Sequence, residues 1–164
     1  MATEPGTAIL ESGQHRDRVR SHTSHSVNEK IDQKMIGQVK SCANRSHAEI
    51  TQRIHELETE WDTERVLEAN ASVLAFAGLM LGIFVNQNWF WLPGIVLPFL
   101  FQHAVQGWCP PLPVIRRLGV RTPYEIDQEK YVLKMLRGDF DQVAAAAAAA
   151  SEPETHSLLE AVRA

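Results

Sequence analysis

The sequence predicts an all-α membrane protein: a two-helix transmembrane hairpin, with a long amphipathic helix before it and a short cytoplasmic helix after it. Charged residues make up 22% of the 164-residue chain, yet Ala69–Ile115 contains no Asp, Glu, Lys or Arg. This block divides at residues 86–88, Asn-Gln-Asn, whose polarity is typical of a turn. As helices, the two halves are roughly 25 and 30 Å long, which suits a hydrocarbon core about 30 Å thick.

Composition excludes several classes of function. A net charge of -4 and a pI near 6.0 argue against a basic nucleic-acid binder, so no nucleic-acid partner is predicted. Two cysteines cannot form a disulfide framework, and the spacing of Cys and His does not match a zinc site. The membrane block has no phosphate loop, nucleophile elbow or pair of catalytic carboxylates. We therefore expect no enzyme activity, no catalytic residues, no cofactor and no metal.

The polar half before the membrane block has two predicted parts. Residues 1–26 are rich in Ser, Thr, His, Arg and Gly and are predicted to be a disordered arm. Residues 27–65 contain no Pro and are predicted to form one amphipathic cytoplasmic helix. Its narrow apolar stripe consists of Ile31, Met35, Val39, Cys42, Ile50, Ile54, Leu57 and Trp61. Such a stripe needs a partner surface, either the membrane or another protein chain.

The transmembrane hairpin is predicted over residues 66–108, and its first helix carries a face of small residues. Ala71, Ala75, Gly78 and Gly82 step by four, three and four residues, and the two glycines form a GxxxG motif. Small side chains allow the backbones of two membrane helices to approach closely. The face therefore predicts either self-association, as a homodimer or a higher oligomer, or close contact with the second helix of the same chain.

Aromatic and basic residues set the expected orientation in the bilayer. The interface anchors are Trp89, Trp91, Trp108, Arg116 and Arg117. Tryptophan is enriched at both membrane surfaces, whereas Arg and Lys are enriched on the cytoplasmic side. Since the arginines flank the hairpin and none lies in its turn, both chain termini are expected to be cytoplasmic.

The chain after the hairpin is predicted to contain a step and a helix. Residues 109–140 begin with a proline-rich segment that cannot continue a regular helix. Thr122, Pro123 and Glu125 then form a helix start of the capping-box type, and Gly138 is the predicted stop. Residues 141–164 are predicted to be a low-complexity, alanine-rich tail.

Two residues near the cytoplasmic end of the second span are candidates for chemistry. A membrane histidine such as His103 can serve a conduction path or a proton relay, or it can pack at the interface. Cys109 precedes a pair of arginines, which favours a thiolate, but it also follows the end of a helix, whose dipole disfavours one. A thiol relay and a buried structural cysteine both remain open.

The stretch TERVLEANA at 63–71, the motif GWCPPLP at 107–113 and RRLG at 116–119 resemble the YgaP-like inner-membrane transmembrane domain family. The resemblance implies a bacterial inner-membrane hairpin of the kind that is sometimes fused to a rhodanese sulfurtransferase domain. It also implies a link to sulfur compounds, in which Cys109 occupies the family's Cys-Pro position. This chain has no rhodanese domain, so sulfurtransferase activity is not carried over.

The sequence thus predicts a multi-pass protein of the bacterial inner membrane, partnered by the lipid bilayer and by copies of itself. Its expected role is that of a membrane anchor or scaffold without catalytic activity, with a cytoplasmic protein docking on helix 27–65. The alternative is an oligomeric component of sulfide- or thiocyanate-type transport, or of a thiol relay, that uses Cys109.

Overall fold

The computed structural model describes residues 17–141, and all the regular elements within them are helices. In chain order they are α1 (Arg18–Ser21), α2 (His25–Cys42), α3 (His47–Thr59), α4 (Thr63–Phe84), a 3₁₀ turn (Gln87–Phe90), α5 (Trp91–Gln106), α6 (Leu112–Arg117) and α7 (Pro123–Arg137). The prediction of an all-α protein is confirmed. Predictions for residues 1–16 and 142–164, at the ends of the arm and the tail, lie outside the described residues.

The chain divides into two compact units, and each is continuous in space but not in sequence. Within the described residues, the first comprises residues 17–33 together with Trp61–Glu125, and it contains the apolar helices α4 and α5. The second comprises Lys34–Glu60 together with residues 126–141.

The prediction of one helix over residues 27–65 is wrong, because the chain breaks twice within that range. The first break separates α2 from α3, where the Ser46 hydroxyl accepts the backbone N–H of Glu49 and the Glu49 carboxylate accepts the backbone N–H of Ser46. This capping box satisfies donors that a continuous helix would pair internally, so it stabilises a new start. The second break, at residues 60–62, places Asp62 as the cap of α4.

The apolar stripe of the N-terminal half is covered by the chain's own C-terminal helix in the second unit. Its core consists of Cys42, Ile50, Ile54 and Leu57, packed with Ile126 and Leu133 of α7. Ile126 and Leu133 are each less than a tenth exposed, so α7 directs these two side chains into this core. Intramolecular packing supplies the partner surface that these four stripe residues require.

The small-residue face of α4 packs against the second helix of the same hairpin. A Cβ placed on Gly78 would lie 2.5 Å from Cδ of Pro93, and one on Gly82 would lie 2.6 Å from the ring of Phe90. The earlier glycine, Gly78, contacts the later residue, Pro93, and the later glycine, Gly82, contacts the earlier residue, Phe90. The two helices of the hairpin therefore run antiparallel. Of the two sequence-based alternatives for the glycines, the structure has the intramolecular contact.

Part of the predicted disordered arm is ordered, so the prediction for residues 17–26 is wrong. The Asp17 carboxylate caps α1 by accepting the backbone N–H groups of Val19 and Arg20. Val19 is buried in an apolar cluster with Leu67, Cys109, Leu112 and Ile115. The buried residues of this polar segment are Asp17, Val19 and Arg20, and they leave no periodic signal in the sequence.

Of the helices that follow the hairpin, α7 begins and ends as predicted, whereas α6 (Leu112–Arg117) lies within the segment that was predicted to be a proline-rich step without a helix. α5 ends before Gly107, which adopts the left-handed conformation with φ of +73° and packs against Arg18. The predicted capping box is present: Thr122 and Glu125 each accept the other's backbone N–H. α7 ends at Arg137, and the predicted stop, Gly138, has φ of +85°. Both glycines occupy a conformation that a side chain would strain.

Candidate functional site

The most elaborate polar arrangement in the first unit is a buried ion network centred on Glu125. Its carboxylate is fully buried and accepts two hydrogen bonds of 2.7 Å from the Arg116 guanidinium, which is also buried. Arg20 donates to the same carboxylate at 2.5 Å and forms a two-pronged pair with Asp32 at 2.8 Å. We call Arg20, Asp32, Arg116 and Glu125 the ion network.

Neutral groups complete the hydrogen bonding of the ion network. Arg116 donates to the side chain of Asn28, to the carbonyl of Val120 and to the hydroxyl of Thr23. The backbone N–H of Thr122 donates to Glu125 at 2.9 Å. A buried charge is tolerated when it is both paired and hydrogen-bonded, and this arrangement meets both conditions.

The ion network changes the acidity of its members in opposite directions. Burial alone would raise the pKa of Glu125, but hydrogen bonds and charge from Arg116, the backbone of Thr122 and the charge of Arg20 outweigh it. The pKa of Glu125 therefore lies below its usual value. Burial lowers the pKa of Arg20, yet Asp32 and Glu125 raise it above its ordinary range. Both groups are held in their charged forms.

The ion network and its neighbours tie together the segments that flank the α4–α5 hairpin. Thr122 donates its hydroxyl to the second oxygen of Asp17 at 2.5 Å, and Thr63 donates its backbone N–H to the carbonyl of Arg121 at 2.8 Å. Arg18 donates to the carbonyls of Ala104 and Val105, near the end of α5. The segment before α4 and the segment after α5 thus meet at the same end of the hairpin.

The predicted interface anchors separate into exposed and buried residues. The prediction for Arg116 is wrong: it is only 1% exposed, because Glu125 draws its guanidinium inward. Arg117 is exposed at the end of α6, as are Trp89 and Trp91 beside the hairpin turn. Trp108 is partly buried against the apolar cluster around Cys109. Whether these tryptophans contact a membrane surface stays a prediction.

Cys109 lies in surroundings that disfavour thiolate chemistry. Its side chain is 2% exposed and packs in the apolar cluster with Leu67, Leu112 and Ile115. Burial raises the pKa of the Cys109 thiol, although the backbone N–H of Leu112 partly opposes the effect. A neutral, covered thiol is a poor nucleophile. The surroundings of Cys109 therefore do not support the predicted thiol relay, which stays a prediction.

Two clefts flank the α4–α5 pair. An apolar cleft of about 490 Å³ includes Ala71, Leu74, Phe99 and Cys109 in its lining. A polar cleft of about 550 Å³ includes His103 and belongs to the end of the hairpin where the flanking segments meet. The remaining member of the predicted small-residue face, Ala75, is half-buried on α4.

His103 is placed in a way that the sequence does not indicate. Its side chain is 8% exposed, and within residues 17–141 its Nδ1 atom has no hydrogen-bond partner. The sequence allows a conduction path, a proton relay or packing at the interface for His103. In the structure, His103 is buried and lines a cleft together with Asp17, Arg18 and Val19, which are distant from it in sequence.

The sequence carries only one local signal of the ion network. The capping-box pattern identifies Glu125 as a helix-start residue, but not as the acceptor for two arginines. Arg20 lies 105 residues away in sequence, and no periodicity connects the two. Arg116 was expected at a membrane interface, since a basic residue after an apolar segment usually lies there.

Among the described residues, one helical stretch is long and apolar enough to cross a membrane, judged by length and composition. It is His47–Phe84, which includes the break at residues 60–62 and ends with α4; 22% of its most apolar window is buried. Comparison of the chain with protein-family models, with curated proteins and with solved structures finds no match in any of the three. The resemblance to the YgaP-like family therefore stays a prediction.

Proposed function

We propose that α4 and α5 form a two-helix membrane anchor and that the protein is a non-enzymatic membrane scaffold. The observation that carries the proposal is the exposed apolar surface of the hairpin. Its large exposed side chains include Val73, Phe76, Phe84, Trp91 and Phe101, each more than three-fifths exposed. Soluble monomers rarely present contiguous apolar patches of more than a few hundred Å². Exposing such side chains to water is unfavourable, whereas exposing them to lipid is not.

The length of each helix is compatible with a crossing. α4 has 22 residues and is roughly 33 Å long, of which the charge-free part from Ala69 to Phe84 is roughly 24 Å. α5 has only 16 residues, roughly 24 Å, but the 3₁₀ turn before it adds about 8 Å. Both values come close to a hydrocarbon core of about 30 Å.

The ion network supports a topology in which both flanks of the hairpin lie on the same side. Arg20 and Asp32 precede α4 in the chain, whereas Arg116 and Glu125 follow α5. The four side chains pair with one another; Arg20, Arg116 and Glu125 are buried, and the Asp32 side chain is 35% exposed. An even number of spans is required for such a meeting. Exposed Arg65 and Arg117 at this end favour the cytoplasm under the positive-inside tendency.

The membrane test compares three versions of the full chain by carbonate washing of vesicles. We expect the wild type and a Phe76→Leu variant to remain in the pellet. Phe76→Arg replaces an apolar side chain by a charged one and makes the free energy of membrane insertion roughly 3–4 kcal/mol less favourable. This variant should therefore move from the pellet to the supernatant. Release of the wild type by carbonate would refute the anchor.

Topology is tested separately with an impermeant maleimide on intact cells. In a Cys42→Ser/Cys109→Ser background, Asn88→Cys in the hairpin turn should be labelled from outside. Ser41→Cys in α2 should react only after the cells are opened. Labelling of both positions in intact cells would contradict cytoplasmic flanks.

Self-association remains part of the proposal, but on a different surface from the one that the motif suggests. The surface of α4 at Gly78 and Gly82 is already covered by Pro93 and Phe90 of the same chain. A dimer would therefore use the outer faces of the hairpin, which carry its exposed aromatic and branched side chains. Cross-linking of detergent-solubilised protein tests the oligomeric state.

A further inference from the structure

The polar cleft at the flanked end of the hairpin has the features of a binding site. It has a volume of about 550 Å³ and is lined by residues 17–19, by α4 and α5, and by residues 122–124 at the start of α7. The polar residues in its lining are Asp17, Arg18, Glu64, Glu68, His103, Thr122 and Tyr124. All seven belong to the first unit, so the cleft is formed within one compact body.

Two carboxylates line one wall of the cleft. Glu64 and Glu68 are four residues apart on α4, so they project from the same side of the helix, and both are exposed. Neither forms an ion pair with any group in residues 17–141. Asp17, in contrast, is engaged by Thr122 and by the N-terminus of α1. The two glutamates thus leave an excess of negative charge that a cation would offset.

A third group points independently to a missing partner. His103 is more than nine-tenths buried, and its Nδ1 finds no hydrogen-bond partner in the described part of the chain. Buried polar atoms are nearly always paired, and an unpaired one is costly. A ligand that brings an N–H donor into the cleft would satisfy this nitrogen when it acts as an acceptor.

The identity of the cation follows from what the cleft contains. No group of three His, Cys, Asp or Glu side chains among residues 17–141 is close enough to hold a metal ion. Glu64, Glu68 and His103 instead suit a cation that is larger than a metal ion and carries hydrogen-bond donors. Arg18, which lines the same cleft, is compatible with an anionic group beside that cation.

We propose that the cleft lined by Glu64, Glu68 and His103 binds a primary ammonium group. The glutamates neutralise its charge, and His103 accepts one of its N–H groups. A trimethylammonium group has no N–H to donate and should bind less well. The ammonium group can belong to an ethanolamine lipid headgroup or to a free amine, and the lipid source rests on the proposed membrane anchor.

The experiment uses the full chain and two probes. The free probe is phosphoethanolamine, titrated calorimetrically into detergent-solubilised protein, with phosphocholine as its N–H-free counterpart. The lipid probe is phosphatidylethanolamine, compared with phosphatidylcholine by counting lipids retained in native mass spectrometry. The variant is Glu64→Gln/Glu68→Gln. Its matched control is Glu29→Gln/Glu58→Gln, which removes two exposed charges elsewhere.

We expect the ethanolamine probe to bind at least tenfold more tightly than its choline counterpart in one or both arms. Glu64→Gln/Glu68→Gln should reduce that binding at least tenfold, and the control should leave it unchanged. His103→Phe, which keeps a ring of similar shape, should abolish the preference for ethanolamine over choline. Circular dichroism verifies that each variant is folded.

Binding in the lipid arm alone identifies the headgroup as the source, and binding in the free arm alone identifies a soluble amine. Equal binding of ethanolamine and choline probes, or binding that survives the glutamate substitutions, would overturn the proposal. Failure of the anchor is distinguishable, because carbonate would then release the wild type while the free arm still reports on the cleft.

Discussion

Removal of the Glu125 charge gives the sharpest test of the ion network. In Glu125→Gln, the Arg116 guanidinium stays buried but loses its negatively charged partner, and one of the two oxygens that accept from Arg116 and Arg20 becomes an NH₂ donor. Breaking one partner of a buried pair typically costs about 3–5 kcal/mol, since the other charge is left without compensation. Arg20 keeps its two contacts to Asp32, so the cost should come mainly from Arg116.

The assay is the free energy of unfolding of the detergent-solubilised full chain, followed by circular dichroism against denaturant. We expect Glu125→Gln and Arg116→Met each to lower this free energy by about 3–5 kcal/mol. The double variant Arg116→Met/Glu125→Gln removes both charges of the pair and should be less destabilised than the sum of these two single variants. Single costs below about 1 kcal/mol, or additive costs in the double variant, would refute the reasoning.

The same residue predicts a dependence on pH. Because the pKa of Glu125 is lower in the folded protein than in the unfolded chain, its contribution is fully present above its unfolded pKa. That contribution is lost as pH falls through the folded pKa. Stability of the wild type should therefore decrease on acidification below about pH 4.5, and Glu125→Gln should show a smaller decrease. Parallel pH profiles would contradict a charged, paired Glu125.

Three further predictions concern the hairpin, the second unit and the thiol. Gly78→Ala should destabilise the hairpin by roughly 1–3 kcal/mol, because the added methyl group overlaps a proline ring. Gly94→Ala adds a methyl group in open space and should leave the stability unchanged, and thermal unfolding of the two variants compares them. Ser46→Ala should cost roughly 1 kcal/mol through the lost cap and speed amide exchange at the start of α3, whereas Ser41→Ala should leave that exchange unchanged. Cys109 should react with maleimide only upon unfolding, since its thiol is covered and its pKa is raised; fast labelling of the folded protein would revive the relay.

Local sequence patterns predicted the helical starts and stops that depend on a few neighbouring residues. The capping box at Thr122–Glu125 and the end of α7 before Gly138 follow from side chains within a turn of one another. The capping box at Ser46–Glu49 has the same pattern, but the regular apolar stripe around it favoured an uninterrupted helix. The apolar residues keep a helical spacing across the short break, so periodicity does not reveal it. Only the capping box marks the start of a new helix there.

Long-range pairing was beyond the reach of periodicity. Arg20 and Glu125 are separated by 105 residues, and the burial of Arg116 depends on both. A basic residue after an apolar block has two physical outcomes, exposure at an interface or pairing with a buried acid. Only the position of Glu125 in space chooses between them.

The amino-acid order alone determined that this chain is helical and that its middle is devoid of charge, because both depend on residue type and spacing along one segment. Tertiary structure decided which partner each face meets: α5 for the glycines of α4, α7 for part of the N-terminal stripe, and Glu125 for the arginines. Each face can be buried against several other segments of the chain. Which segment covers it depends on contacts between residues that are far apart in sequence, and these contacts exist only in the folded protein.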